Sequence, residues 1–358
     1  MNPKVSVIMP SLNVADYIEE CIKSVVMQTL GDIEIICIDA GSDDGTLEIL
    51  EMYADKDERI RLLHSDVKSY GHQMNAAIAE AKGDYIAIVE TDDYIASNMF
   101  ESLFDLSENG SVDVIKGNFY HVSERETRKD TGKKGLVKEN VKFTIEDYPA
   151  IIKAHPSIWA GIYRREFLLD NNITFIEEPG GAWVDNPFFY ETSFAAKSIK
   201  YTDEAYYYYR EFNPTSSTNN LSDYTIPIKR MLDNLDVVDK YNKKSDAILS
   251  MVYMRAFAYL RNIERREYFT ENLPEVRPLL FEMMKRLDEA HIKSKRDKTE
   301  YYKYLSPLRL KRQFSDEEYE YLLRENDFLY ESLSQCENRK EDKQKEQSSF
   351  KGKLKKFF

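Results

Sequence analysis

Short apolar runs alternate with helix-like stretches over the first 90 residues, and this alternation constrains the fold more than any other feature of the chain. Val5–Met9, Glu34–Ile38, Ile60–His64 and Tyr85–Val89 read as strands, rich in β-branched and apolar residues. Between them, Asp16–Gln28 puts Tyr17, Cys21, Ser24/Val25 and Gln28 on one helical stripe. Asp44–Tyr53 repeats Leu47, Leu50 and Tyr53 at helical spacing, and Gln73–Ala81 is alanine-rich. Strand–helix repetition predicts a mostly parallel, Rossmann-like α/β sheet with helices on both faces. Ligands of such sheets bind at the carboxyl ends of strands. Three loops fall there, "PSLN", "DAGSDDGT" and "ETDD", and they are expected to surround one cleft.

The last of these is the most informative. In "GDYIAIVETDDYI", residues 83–95, an apolar strand ends in Glu90, Thr91, Asp92 and Asp93. Three neighbouring carboxylates repel unless a cation or a proton compensates. Capping of a following helix, expected over Ile95–Leu106, explains one or two of them. A divalent ion explains all three, because Mg²⁺ and Mn²⁺ favour carboxylate oxygen and share their coordination with substrate phosphates. In "DAGSDDGT", Asp39 sits just past a strand, placed to accept a hydrogen bond from a ribose or base, and Asp44 can cap the next helix. A plain connecting loop is the other reading. No GxGxxG and no P-loop lysine occurs, so neither a dinucleotide fold nor a phosphate-cradling ATPase is supported.

The linked order "VSVIMPSLN…YIEECIKSVVMQTL…IEIICIDAGSDDGT…GDYIAIVETDDYI" resembles family 2 of the nucleotide-sugar glycosyltransferases, over about residues 4–220. The resemblance implies a GT-A fold, an inverting hexosyl transfer and an Mg²⁺ or Mn²⁺ cofactor. It implies a nucleotide-diphosphate sugar donor, of the UDP type, and a surface-glycan or lipid-linked acceptor. It places Pro10, Ser11 and Asn13 along the nucleotide and Asp39 on the base. It makes Asp92 the metal and diphosphate ligand with Asp93 in support, and sets Glu90 and Thr91 on the donor. Two positions depart from the family pattern: Glu90 stands where an Asp is usual, and Ala40 where a second Asp is common. In "KSYGHQMN" the family's donor-contacting Arg is replaced by Met74, which leaves Gln73 or His72 for that part; His72 also reads as a solvated loop residue. In "GGAWVDNPFF", Asp185 resembles the catalytic base and equally suits the cap of a helix beginning near Pro187.

Trp183 and Trp159 offer flat faces for sugar C–H surfaces, with a core position the other reading for Trp159. Of Tyr206–Tyr209, strand alternation would bury two and expose two. Arg210 is a candidate clamp for the leaving diphosphate or one half of a surface ion pair.

The chain has 358 residues, 42% of them hydrophobic, which suits one large domain with an added lobe. The expected division is a glycosyltransferase domain over 1–220, a helical lobe over 221–336, and a charged tail over 337–358. A formal charge of −13 argues against nucleic-acid binding. Cys21, Cys37 and Cys336 lack metal spacing and fit a reducing cytosol. The amino-terminal stretch reads as a strand rather than a signal peptide, and no apolar run reaches the roughly 20 residues that span a bilayer. Tyr319, Asn326 and Leu333 alternate with Leu322, Leu329 and Cys336 at heptad spacing, which suits either a homodimeric coiled coil or an amphipathic helix on the body. "FKGKLKKFF", residues 350–358, reads as a contact with an anionic membrane at the cytoplasmic face or as a solvated tail. A reading from another class is a non-catalytic nucleotide-sugar-binding or scaffolding subunit, prompted by Glu90, Ala40 and the long helical half.

Overall fold

The computed structural model describes residues 2–211, 223, 225–264, 273–298 and 300–301. Among the described residues the elements run β1 (Val5–Ser11), α1 (Ala15–Val26), β2 (Ile33–Asp39), α2 (Thr46–Ala54), β3 (Ile60–His64), α3 (Tyr70–Glu80) and β4 (Tyr85–Ile88). There follow β5 (Tyr94–Ile95), α4 (Met99–Asp105), β6 (Val114–Val122), β7 (Thr127–Lys129), β8 (Gly161–Arg164), α5 (Arg165–Asp170), α6 (Asp185–Ala195) and β9 (Ile199–Arg210). Three helices complete the series: α7 (Ile226–Tyr241), α8 (Asp246–Glu264) and α9 (Leu273–Arg286).

The strands form one sheet of order β3-β2-β1-β4-β8-β6-β9-β5, with β7 folded back on β6 as a hairpin. The first four are parallel, as the alternation predicts. Every residue of β1, β2 and β4 is buried, because helices cover both faces. Beyond β4 the sheet is mixed: β8 runs antiparallel to β4 and β6, and β9 runs parallel to β6.

The parallel half is fastened by one buried carboxylate. Glu34 Oε1 on β2 accepts from the Ser6 hydroxyl at 2.5 Å, the Lys82 amide at 2.6 Å and the Gly83 amide at 3.1 Å. It thereby ties β1, β2 and the entry to β4.

The chain divides into two compact units, Met1–Asn272 and Leu273–Phe358. In the first, α7 packs on α6 and α8, and α8 packs on a 3-10 turn at Pro149–Lys153. The second opens with α9, where Val276, Leu280 and Met283 recur at helical spacing. The boundary expected after residue 220, the heptads of 319–336 and the basic tail of 350–358 lie outside the described residues. Among the described residues no helix is long and apolar enough to cross a membrane.

Glu34→Ala leaves the Lys82 amide and the Ser6 hydroxyl without their acceptor at a buried site. It is expected to lower unfolding free energy by about 2–4 kcal/mol, read by urea denaturation, with Glu34→Gln closer to wild type.

Candidate functional site

The carboxyl ends of β1 and β2 meet in register, Ser11 opposite Asp39. Asp39 is buried and shapes the following turn: Oδ1 accepts the amides of Gly41 and Ser42, each at 2.9 Å, and Oδ2 accepts the hydroxyls of Ser11 at 3.0 Å and Ser42 at 2.5 Å. Gln73 donates to the carbonyls of Ser11 at 2.9 Å and Ile38 at 2.8 Å. Thr91 donates to the Pro10 carbonyl at 2.7 Å. Asn13, in the left-handed region at φ 54°, caps the opposite loop by accepting from the Asp43 amide at 3.0 Å. The sequence-predicted residues Pro10, Ser11, Asn13, Asp39, Gln73 and Thr91 therefore form one hydrogen-bonded network. Among them Gln73 and Thr91 act through backbone carbonyls.

Beside this network lies a cavity of about 400 Å³ lined by Glu90, Asp92, Asp93 and Asp185, with Trp159, Trp183 and Tyr209 among its aromatic walls. The structure thus brings together the acidic loop, the Asp185 motif and both tryptophans, which lie up to 95 residues apart in the chain. His72 and Arg210 are not on its lining. His72 instead pairs through Nδ1 with Glu177 at 2.9 Å, beside Asn75, which donates to the same carboxylate at 2.8 Å.

The acidic loop does not cap the next helix. α4 starts at Met99, with Asn98 in the cap position, because Tyr94–Ile95 is first taken up as a short strand against β9. The carboxylates have other partners. Asp93 is buried, with Oδ1 accepting the Arg210 amide at 2.7 Å and Oδ2 the Tyr207 hydroxyl at 2.9 Å. Glu90 accepts from Tyr70 Oη at 2.6 Å. Burial pushes the Glu90 carboxyl up to about 8; the Tyr70 hydrogen bond opposes this, and the negative charges of Asp92 and Asp185 add to it. Asp92 is half-buried and faces the cavity.

Arg210 is neither an exposed ion-pair residue nor directed at the cavity. It is buried: its guanidinium donates to the Asp92 carbonyl at 2.6 Å, pairs with Glu20 and lies 4.8 Å over the Tyr94 ring. It braces the acidic loop from behind. The tyrosine run also departs from simple alternation. Tyr207 alone is buried, although Tyr207 and Tyr209 share the face that stacks on Trp159 and β9 keeps regular register with β6 from Tyr207 to Arg210. Tyr208 stacks between Tyr94 at 4.6 Å and Tyr120 at 5.0 Å.

Asp185 reaches the cavity because two glycines let chain segments touch. A Cβ on Gly71 would stand 2.0 Å from the Ile176 carbonyl oxygen, and one on Gly181 would stand 2.4 Å from Tyr70 Cβ. The loop then turns through Trp183, at φ 62°, into α6. Val184 occupies the cap position of α6 and Asp185 the first helical one, so Asp185 is not the cap the sequence offered. Its carboxyl faces inward at the helix amino terminus, where the dipole favours negative charge. Burial still raises its proton affinity above the usual carboxylate range, against the pull of Arg255 and the Asn186 amide.

Trp159 is nearly buried, stacked on Tyr207 at 4.1 Å and Tyr209 at 5.3 Å, so it presents an edge and not a face. Trp183 is half-buried and meets Tyr259 edge-on at 5.1 Å. Two buried lysines hold the Trp159 wall from behind. Lys133 donates to the Ser157 hydroxyl at 3.0 Å, and Lys116 to the Ser157 carbonyl. Burial pushes Lys133 down to about 8 and His155, in the same wall, down to about 3.

Sequence reasoning missed Arg255, Tyr259 and Asn186, which line the same cavity. Arg255 and Tyr259 are four apart on α8, and a lone Arg in the apolar stretch "MVYMRAFAYL" was the available signal.

Among the described residues no cluster of three or more His, Cys, Asp or Glu forms a metal cage. The acidic loop's lining of Glu90, Asp92 and Asp93 offers carboxylate oxygen, which fits an ion that shares its coordination with substrate phosphates.

Residues 6–173 match the family described as Glycosyl transferase family 2. The chain is 37% identical over 238 residues to the glycosyltransferase EpsJ of Bacillus subtilis, covering 65% of this chain and 66% of that protein. It is 31% identical to poly(ribitol-phosphate) beta-glucosyltransferase of Bacillus spizizenii, over 58% of this chain and 32% of that one. The match thus spans two thirds or less of these relatives' length. The crystal structure of S. aureus TarS 1-349 with UDP-GlcNAc shares the fold, with a TM-score of 0.72 at 22% identity, covering 84% of this chain and 86% of the other.

Glu90→Gln tests the electrostatics. A carboxyl raised from 4.5 to about 8 stabilises the fold fully below pH 4.5 and loses that contribution as pH rises through 8. In the metal-free protein the variant should therefore gain on wild type as pH rises from about 5 to 9, by about 1–4 kcal/mol in urea unfolding, and match it near pH 4.

Proposed function

Because the chain belongs to the family 2 glycosyltransferases, we propose that it transfers a sugar, with inversion, from a UDP-type sugar to a hydroxyl of a glycan or lipid-linked acceptor of a surface polysaccharide. The observation that carries this reading is the convergence of Asp185 and Asp92 on one cavity with aromatic walls. The donor type is taken from TarS, bound to UDP-GlcNAc, and the acceptor class from the poly(ribitol-phosphate) relative.

The nucleotide lies along the Pro10–Asn13 and Asp39 network, with Asp39 fixing the turn that receives the base. Asp92 would hold a divalent ion, with Asp93 in support and keeping the loop in shape through Tyr207 and Arg210. When bound, Mg²⁺ or Mn²⁺ supplies neutralising charge for the diphosphate leaving group. Glu90 and Tyr70 contact the donor sugar between the two acidic centres. Asp185 accepts the proton of the acceptor hydroxyl as that oxygen attacks the anomeric carbon from the face opposite the diphosphate. Trp183 offers the acceptor an apolar face. The chain acts at the cytoplasmic membrane face, with residues 350–358 as the lipid contact.

Asp185→Asn should lower turnover roughly 10²-fold or more with donor KM near wild type, measured as UDP release. Full activity in that variant would remove Asp185 from the role of base. Asp92→Ala should lose the Mn²⁺-dependent rise in melting temperature with UDP, which wild type shows by mass action. An unchanged rise would sink the metal assignment, and no turnover with any nucleotide sugar in wild type would favour a binding subunit.

A further inference from the structure

Arg255 is a buried cation whose donors are committed to two different walls of the cavity. Nη1 donates to the carbonyls of Ile152 at 2.7 Å and Ala154 at 2.8 Å, directly before the His155–Trp159 wall. Nη2 donates to Asn186 Oδ1 at 2.7 Å, and Nε to Tyr259 Oη at 3.0 Å. Tyr259 in turn donates to the same Asn186 oxygen.

The chemistry of these groups fixes a direction. A guanidinium has donors and no acceptor, so the Asn186 atom that faces it must be the oxygen. The Asn186 Nδ2 group is thereby turned to Asp185, where it donates to Oδ1 at 3.0 Å. An amide N–H in that position rewards the carboxylate and not the carboxylic acid.

We propose that Arg255 is a positioning residue for the transfer: through Asn186 it holds Asp185 ionised and aimed into the cavity, and through the 152 and 154 carbonyls it fixes the facing wall. The proposal rests on the reading of Asp185 as the base.

The need for such a group follows from what surrounds Asp185. Glu90 and Asp92 line its cavity from the acidic loop, with Tyr70 from α3 and His155 from the wall loop. Tyr163 on β8 also faces it, and Tyr259 on α8. None of these is a cation, because His155 is held neutral by burial. Among the described groups acting on Asp185, Arg255 supplies the opposing positive charge.

The test uses the full chain labelled with ¹³C-aspartate, with the Asp185 carboxyl resonance assigned by its loss in Asp185→Asn. Arg255→Gln should raise the proton affinity of that carboxyl about tenfold or more, and Arg255→Lys should recover part of the change. Asn186→Ala, which leaves Arg255 on its carbonyls and on Tyr259, should raise it less and serves where Arg255→Gln does not fold. With UDP-GlcNAc as donor and UDP release as readout, Arg255→Gln should lower kcat most at acidic pH, with donor KM held. An unchanged Asp185 titration in a folded Arg255→Gln or Asn186→Ala protein overturns the proposal. Full activity of Asp185→Asn overturns the base reading instead, and the two failures are read separately.

Discussion

Two glycines make the site possible by letting backbone replace side chain. Gly71 at the start of α3 and Gly181 ahead of α6 sit where any Cβ would collide with the opposing segment. The segments close to hydrogen-bonding distance, with the Tyr70 amide on the Gly180 carbonyl at 2.8 Å and the Gly180 amide on the Lys68 carbonyl at 3.0 Å. This contact places Tyr70 between the two acidic centres and brings Asp185 to the tip of β4. Without it, the acidic loop and the Asp185 motif would lie on separate elements with no common wall.

The acidic site would be self-repelling if its carboxylates were equivalent, and the structure makes them unequal. Asp93 is absorbed into the scaffold by a hydroxyl and an amide from β9. Glu90 is half-buried, bonded to Tyr70, and holds its proton toward neutral pH. Asp185 is balanced by Arg255 through Asn186. Asp92 is half-buried on the cavity lining, its backbone carbonyl held by Arg210. The differences in partner therefore assign different chemistry to residues that the sequence presents as one run.

Periodicity made the parallel half legible, because β1, β2 and β4 are buried on both faces and their apolar runs say so directly. That the loops after β1, β2 and β4 meet was legible from position, since strand ends in such sheets converge, while the part given to each residue there came from the family resemblance. The sense of Arg210 and Asp93 was not legible, because it is set by contacts between distant segments: Asp93 accepts from Tyr207 and the Arg210 amide, and the Arg210 guanidinium donates to the Asp92 carbonyl. Arg255 was illegible for another reason. A stripe of apolar residues marks a helix face, and an Arg within it reads as an interruption until its partners on other elements are known.

Helix α8 contributes Arg255 and Tyr259 to the cavity lining, and α7 packs on α6 and α8. The network at the tips of β1 and β2 is assembled from hydrogen bonds within the first 91 residues, where backbone and small polar groups satisfy one another. The opposite end is assembled from distant pieces: the wall at 155–159 held from behind by Lys116 and Lys133, Asp185 at the head of α6, and Arg255 on α8 joined to both. Aromatic stacking alone, as between Trp159 and Tyr207, orders rings but sets no charge state. The guanidinium does both, because each of its bonds is directional and its charge acts on the one carboxyl beside Asn186. A chain ending after β9 would hold every carboxylate of the cavity and would lack the α8 side chains that keep Asp185 and the Trp159 wall in register.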